Sequence, residues 1–383
     1  MAMNQRNRII YNVLALYAGQ VDAVTGNHSA ANIKQLSRVQ TFDEDFSRTF
    51  TNVEQYGNLA AIDRIEMEAP TVKGSLSYYL TDGSNESYLG LSVAKSTDTS
   101  LTSAISGLIT KVTDSKNYFL AISDEGHDAA DNITSVTNTG VLALGNAFLS
   151  SYDVDAAVGQ IPKATVQLEA LNTAIYASVN STNNLPSVTP ANGYPVTGLQ
   201  FALPTASTNN TATQPTALQP GDIVLSVTGL VGVSIPDLKI QSFKLSVPLS
   251  REPIRRLGER FPFTREIKFP ITAKFSIDAE LGALESVNDG GSSYGAGSYS
   301  GNMANLLCDT GINTMRVTFN KPACNNANGG GPALRYEFRG AKLISQKISS
   351  NIGSNVKFTA DYEAQIGAVN DTAHGIFISG TWQ

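Results

Sequence analysis

A chain of 383 residues is long enough for two domains, each with a core of its own. Its formal net charge of −6, with only 16% charged residues, excludes general nucleic-acid binding through a basic face. The lack of any run of about eighteen apolar residues excludes a membrane-spanning helix.

Ser, Thr, Asn, Gly and Ala are abundant, which suits a mainly β protein whose polar positions carry hydroxyls and amides. Arg6 and Arg8 precede an apolar stretch from Ile9 to Ala18. Between a secretory leader and a first strand over Ile9–Leu14, the strand is preferred. Turn residues Thr25-Gly26-Asn27 follow, then a strand from Ile33 through Phe42. Ala69 to Leu80 alternates at period two around Val72, Leu76 and Tyr78, and Asp82-Gly83 reads as the closing turn. Leu101, Ala104, Ile105, Leu108 and Ile109 have helical spacing, so a helix is predicted over Ser100–Lys111, weakened by Gly107. Strands follow at Asn117–Ile122, Ala143–Tyr152 and Ala164–Tyr176. In the last, Thr165, Gln167 and Glu169 alternate with Val166, Leu168 and Ala170.

From about Ser178 to Pro220, Thr, Asn, Pro and Ser dominate, which discourages long regular elements. Residues 179–221 read as a linker or arm whose middle, Tyr194 to Leu203, is apolar enough to pack down. The second half predicts strands at Ile223–Leu230, through Phe243, and at Ile267–Ile277. A Gly/Ser loop at Asp289–Gly301 and a short helix at Met303–Cys308 come next. Strands at Met315–Phe319, Leu334–Phe338, Ala341–Ile348, Val356–Ile366 and Gly375–Trp382 complete the set.

The halves repeat. Val39-Gln40-Thr41-Phe42, Ser47-Arg48, Gly57, Arg64 and Pro70 are echoed by Ile240-Gln241-Ser242-Phe243, Ser250-Arg251, Gly258, Arg265 and Pro270. Further on, Gly145, Leu149 and Gly159 align with Gly340, Ile344 and Gly353. Two ordered matches imply tandem copies, residues 1–178 and 222–383, each of strands with one short helix.

Nothing in the chain points to catalysis. His127, in Asp124-Glu125-Gly126-His127-Asp128, reads as part of a polar turn rather than a metal ligand, and His28, His127 and His374 form no ligand pair. Gly290–Gly301 lacks the Lys-Ser/Thr of a phosphate loop, and no G-x-S-x-G elbow occurs. Cofactors are therefore expected to be none. Cys308 and Cys324 are too few for a disulfide scaffold or a structural zinc site; between a single disulfide and two buried or free thiols, the thiols are the default reading. Asn-x-Ser/Thr triplets at Asn27, Asn85, Asn132, Asn180 and Asn209 are what this composition produces by chance. Arg251, Arg255, Arg256, Arg260 and Arg265 form the densest basic run, nearly neutralised by Glu252, Glu259 and Glu266. The matching first-half segment, Asp43 to Glu68, is net acidic. An acidic arm of one domain is thus expected to meet a basic arm of the next.

At Phe46-Ser47-Arg48-Thr49-Phe50, Gln55-Tyr56-Gly57, Asp63-Arg64 and Glu68-Ala69-Pro70-Thr71-Val72 the chain resembles the tail tube (major tail) proteins of tailed bacteriophages. Gly145–Leu149 and Val158–Ala164 resemble later strands of the same proteins. The resemblance implies a β-sandwich-like barrel with a flanking helix and a hairpin arm. It also implies rings of six such folds stacked into a tube that conducts DNA. For a doubled chain, three copies would close the ring. The resemblance places the protein in the virion, assembled in the bacterial cytoplasm. Its partners would be its own copies together with sheath, tape-measure, terminator and baseplate proteins, and DNA would pass without specific binding. Period two nominates Lys73, Ser75, Ser77 and Tyr79, with Lys274, Ser276 and Asp278, as lumen-lining residues. Arg48, Tyr56, Arg64, Arg251, Arg255, Arg256 and Arg265 are candidates for inter-subunit arms. The competing expectation is a virion-surface decoration or glycan-binding β-sandwich, for which Tyr294 and Tyr299 would be loop-tip aromatics.

Overall fold

The computed structural model describes residues 9, 14–20, 32–95, 101–110, 114–123, 129, 140–177, 183–188, 198–204, 215–227, 230, 238–262, 264–282, 313–322 and 330–381. The Gly/Ser loop, the Met303–Cys308 helix, both cysteines, His28, His127, Tyr294 and Tyr299 lie outside these residues.

The first half runs β1 (Leu14–Gly19), β2 (Ile33–Gln35), β3 (Val39–Ser47), β4 (Phe50–Val53), β5 (Asp63–Glu66), β6 (Thr71–Tyr79), α1 (Ser84–Leu89), β7 (Val93–Lys95), α2 (Ser106–Ile109), β8 (Ser115–Ile122), β9 (Gly140–Ala157), β10 (Lys163–Ala170) and β11 (Asn172–Tyr176). The second runs β12 (Ile223–Ser226), β13 (Leu238–Pro248), β14 (Arg251–Ile254), β15 (Thr264–Ile267), β16 (Thr272–Leu281), β17 (Asn313–Asn320), β18 (Pro332–Ser349), β19 (Lys357–Gln365) and β20 (Gly375–Gly380). The protein is mainly β.

The pairing order occurs twice. In the first half β3 pairs β6, β6 pairs β10, and β10 pairs β9; in the second β13 pairs β16, β16 pairs β19, and β19 pairs β18. On the other stretch of the long strands, β9 pairs β8 and β11, while β18 pairs β17 and β20. Hairpins β4–β5 and β14–β15 stand apart as two-stranded arms. Details repeat as well. Both β3 and β13 carry a bulge at a glutamine, Gln40 or Gln241, whose side-chain amide donates to the carbonyl two residues earlier. β9 and β18 are each 18 residues long and share a second bulge against β10 and β19. Each also contains one residue at positive φ, Asn146 at 50° and Gly340 at 74°. There the long strand passes from an inner sheet to an outer one.

Strand alternation explains the inner sheet. Val72, Leu76 and Tyr78 of β6, and Ala273, Phe275 and Ile277 of β16, point into one core. That core continues across both halves, because β9 pairs β13 and β20 pairs β7 in parallel. A smaller core covers the far side of the first outer sheet, where Leu185, Phe201 and Leu203 pack on Tyr17, Phe119 and Val141. Stretches 183–188 and 198–204 of the sequence-defined linker are therefore packed down on the first half.

Several expectations need correction. Of the stretch Ile9–Leu14 read as the first strand, residues 10–13 lie outside the described residues; the first described strand, Leu14–Gly19, aligns with β8 and buries Ala15 to Ala18. The strand read from Ile33 through Phe42 is two, β2 and β3, separated at Leu36–Arg38. The Ala164–Tyr176 strand is divided at Leu171 and the Ile267–Ile277 strand after Ile267, whereas Leu334–Ile348 is continuous. The helix predicted over Ser100–Lys111 is a single turn, α2, because the Ala104 amide goes instead to the Ile376 carbonyl. Asp82-Gly83 opens a helix that the pattern does not show; the Asp82 carboxylate accepts from the Ser84 amide at its start.

The repeat itself aligns differently in three places, the first being β6 and β16, where Leu76 matches Ile277 and so Pro70 matches Ile271, not Pro270. In the hairpin registers Phe50 faces Glu66 as Arg251 faces Ile267, so Arg251 is the counterpart of Phe50, not of Arg48. In the β9 and β18 registers Gly340 matches Asn146, and Leu343 matches Leu149; the sequence match was one residue out.

Candidate assembly surface

The inner sheet runs without a break as β3-β6-β10-β9-β13-β16-β19-β18. Its face opposite the core is polar. One row of cross-strand neighbours reads Thr41, Ser77, Thr165, Asp153, Ser246, Lys274, Glu363 and Lys342. The next reads Tyr79, Lys163, Asp155, Lys244, Ser276, Asp361 and Ser345. All seven nominated lumen residues, Lys73, Ser75, Ser77, Tyr79, Lys274, Ser276 and Asp278, stand on this face. Hydroxyls and carboxylates knit it: Thr41 with Ser77 at 2.7 Å, Thr359 donating to Asp278 at 2.9 Å, Ser345 donating to Asp361 at 2.6 Å. Lys274 lies 3.4 Å from Glu363. A depression of about 440 Å³ opens here over Lys244, Lys274, Ser276 and Asp361.

The two halves join through β9 and β13, with Lys244 opposite Asp155 and Leu245 opposite Val154. The β14–β15 arm then folds back on the first half. Arg251 has a fully buried side chain. It donates to the Leu149 carbonyl at 2.8 Å, to the Arg265 carbonyl at 3.1 Å and to Asp114 at 2.5 Å, with its guanidinium 5.0 Å from the Phe148 ring centre. Arg265 pairs with Glu169. Burial pulls the Arg265 guanidinium down while the Glu169 carboxylate opposes that shift. Arg255 meets Glu68 at 2.9 Å in the open, and this contact holds the Glu68 carboxyl below its usual range.

The arm arginines therefore divide. Arg251, Arg255 and Arg265 engage the first half of their own chain, but of the three Arg255 alone, on Glu68, touches the acidic Asp43–Glu68 segment; Arg251 and Arg265 meet Asp114 and Glu169 instead. Arg256 pairs with Glu259 of its own arm. In the first arm Arg48 forms a bidentate pair with Glu66 at 2.9 and 3.0 Å, Arg64 donates to Asn52, and both guanidinium groups flank the Phe50 ring. Tyr56 is fully exposed near the arm tip, beside Gly57, whose φ of 89° matches the 90° of Gly258.

Sequence reasoning missed a buried cluster that ties the halves together. Glu86 on α1 is wholly buried and accepts from the hydroxyls of Tyr78 at 2.9 Å and Tyr152 at 3.0 Å. Tyr152 is 2.8 Å from Tyr336 of the second half, which reaches Glu86 at 3.4 Å. Burial raises the Glu86 carboxyl above its ordinary range. Beside it the buried Asn85 amide clasps Ser37 through two bonds of 2.8 Å, so this Asn-x-Ser triplet is no surface site. Polar residues in a short segment carry no apolar period, and only the tyrosine partners, distant in sequence, make them core.

No family model matches the chain, and no curated protein matches it. Among solved structures, it is similar to the SPP1 tail tube determined by solid-state NMR and cryo-EM, at 12% identity and a TM-score of 0.30 over 45% of this chain and 81% of that one. No helix among the described residues is long and apolar enough to cross a membrane.

Proposed function

We propose that this protein is a tail tube subunit of a bacteriophage virion, a structural protein in which each half occupies one position of a ring. The observation that carries this reading is the β9–β13 join: one copy of the repeated strand order already docks on the next, edge to edge, inside a single chain. That arrangement is heterologous, so it propagates until it closes or becomes helical. With six modules per ring, as in the family the sequence resembles, three chains complete the circle. The polar face of the inner sheet then lines the bore. Its mixed lysines, acids and hydroxyls, in a chain of net charge −6, let DNA slide with little adhesion. Sheath, tape-measure, terminator and baseplate proteins are the partners this role calls for, and assembly takes place in the host cytoplasm.

Negative-stain microscopy of the purified protein tests the reading. Rings or tubes of uniform bore support it. Isolated globules at all concentrations count against it and favour a surface decoration module.

A further inference from the structure

The internal junction supplies a template for the external one. β3 is the counterpart of β13, and the Lys342–Ser349 stretch of β18 is the counterpart of Phe148–Asp155 on β9. Both are bare on one edge: β3 pairs only β6, and this stretch of β18 pairs only β19 among the described residues. Exposure marks the missing partner. Phe46 is 58% exposed where its counterpart Val247 is 3%, and Ile348 is 46% exposed where Val154 is 0%.

We infer that β18 of one copy pairs antiparallel with β3 of a second copy, in the register that β9 and β13 dictate. That register sets Asp45 of the second copy opposite Lys347, as Ser246 stands opposite Asp153 inside the chain. This inference rests on the ring reading and specifies its contact.

Charge at the two junctions is reversed. Inside the chain the acids Asp153 and Asp155 lie on β9, and the lysine Lys244 lies on β13. At the outer junction the acids Asp43, Glu44 and Asp45 lie on β3, while β18 offers Lys342 and Lys347 and no acid from 342 to 349. The arm contacts transfer in the same way. Arg251 over Phe148 becomes Phe50 against Lys342, a cation and a ring with their sides exchanged. Arg265 with Glu169 becomes Arg64 with Glu363. If β3 instead took the place of β13 on β9, Asp43 would face Asp155 and Asp45 would face Asp153. Like charges at that spacing oppose the exchange. The reversal therefore keeps each junction for its own partner.

The test is a charge swap in the full chain. Asp45→Lys and Lys347→Asp each replace an exposed side chain, so thermal melts should match the parent. Each should lower the fraction assembled at a given concentration at least about tenfold, because a like charge then faces its own sign. The double variant carrying both should recover assembly. If the parent assembles but the single variants do so equally well, or the double variant stays dispersed, the register is wrong and the ring reading stands. If the parent itself sediments only as a monomer, both fall.

Discussion

The internal and external edges of the inner sheet are built alike and finished differently. β9 carries Tyr152, Val154 and Ala156 buried beneath β13, whereas the matching positions on β18 leave Ile348 open. Arg251 is sealed under its arm by Asp114 and Phe148, whereas its counterpart Phe50 is 40% exposed between Arg48 and Arg64. A folded chain completes one junction by itself. The second is held ready, with opposite charge on its two sides.

That comparison can be broken most sharply at Arg251. Arg251→Met strands Asp114 and the Leu149 and Arg265 carbonyls; we expect a loss of about 3–5 kcal/mol in urea unfolding. Phe50→Ala should cost less than about 1 kcal/mol in the isolated chain yet weaken assembly, because its contact is with the neighbour. An equal loss of stability at both positions would show that the two arms are used alike.

The Glu86 cluster offers a pH test of the bond between halves. Its carboxyl is raised in the folded state, so the folded chain holds the proton more tightly than the unfolded one. Stability from this group is complete below the unfolded value near 4.5 and is lost as pH rises through the folded one. Glu86→Gln should therefore raise the melting temperature at pH 8 and lose that advantage toward pH 4. A constant difference across the range would mean that the carboxyl does not titrate in the fold.

A smaller effect sharpens the repeat. Gly159 and Gly353 occupy matching turns at φ of 78° and 87°, with open space around each. Gly159→Ala and Gly353→Ala should each cost about 1 kcal/mol, nearly equally, since only backbone strain is involved. Unequal losses in denaturant titrations would separate the two turns.

Much of this was legible in the residues. Period two fixed the two faces of β6, β10 and β16, because one side of each meets a continuous core. The glutamine at each bulge and the glycine at each arm tip marked the repeat. Other features were not legible, for physical reasons. Asn146 and Gly340 adopt the positive φ typical of turns, so the β18 strand that continues through Gly340 reads as two pieces. Arg48 and Arg251 look equivalent by type, but hairpin register, not residue identity, decides position. α1 hides its role because Asn85 and Glu86 are polar, and only tertiary partners bury them.

The most direct measurement is native mass spectrometry of assembled rings. The account predicts single rings with the mass of three chains, with the Asp45→Lys and Lys347→Asp double variant giving the same mass. Single rings of six chains would contradict it, and three-chain rings that persist unchanged in either single variant would overturn the β3–β18 register alone.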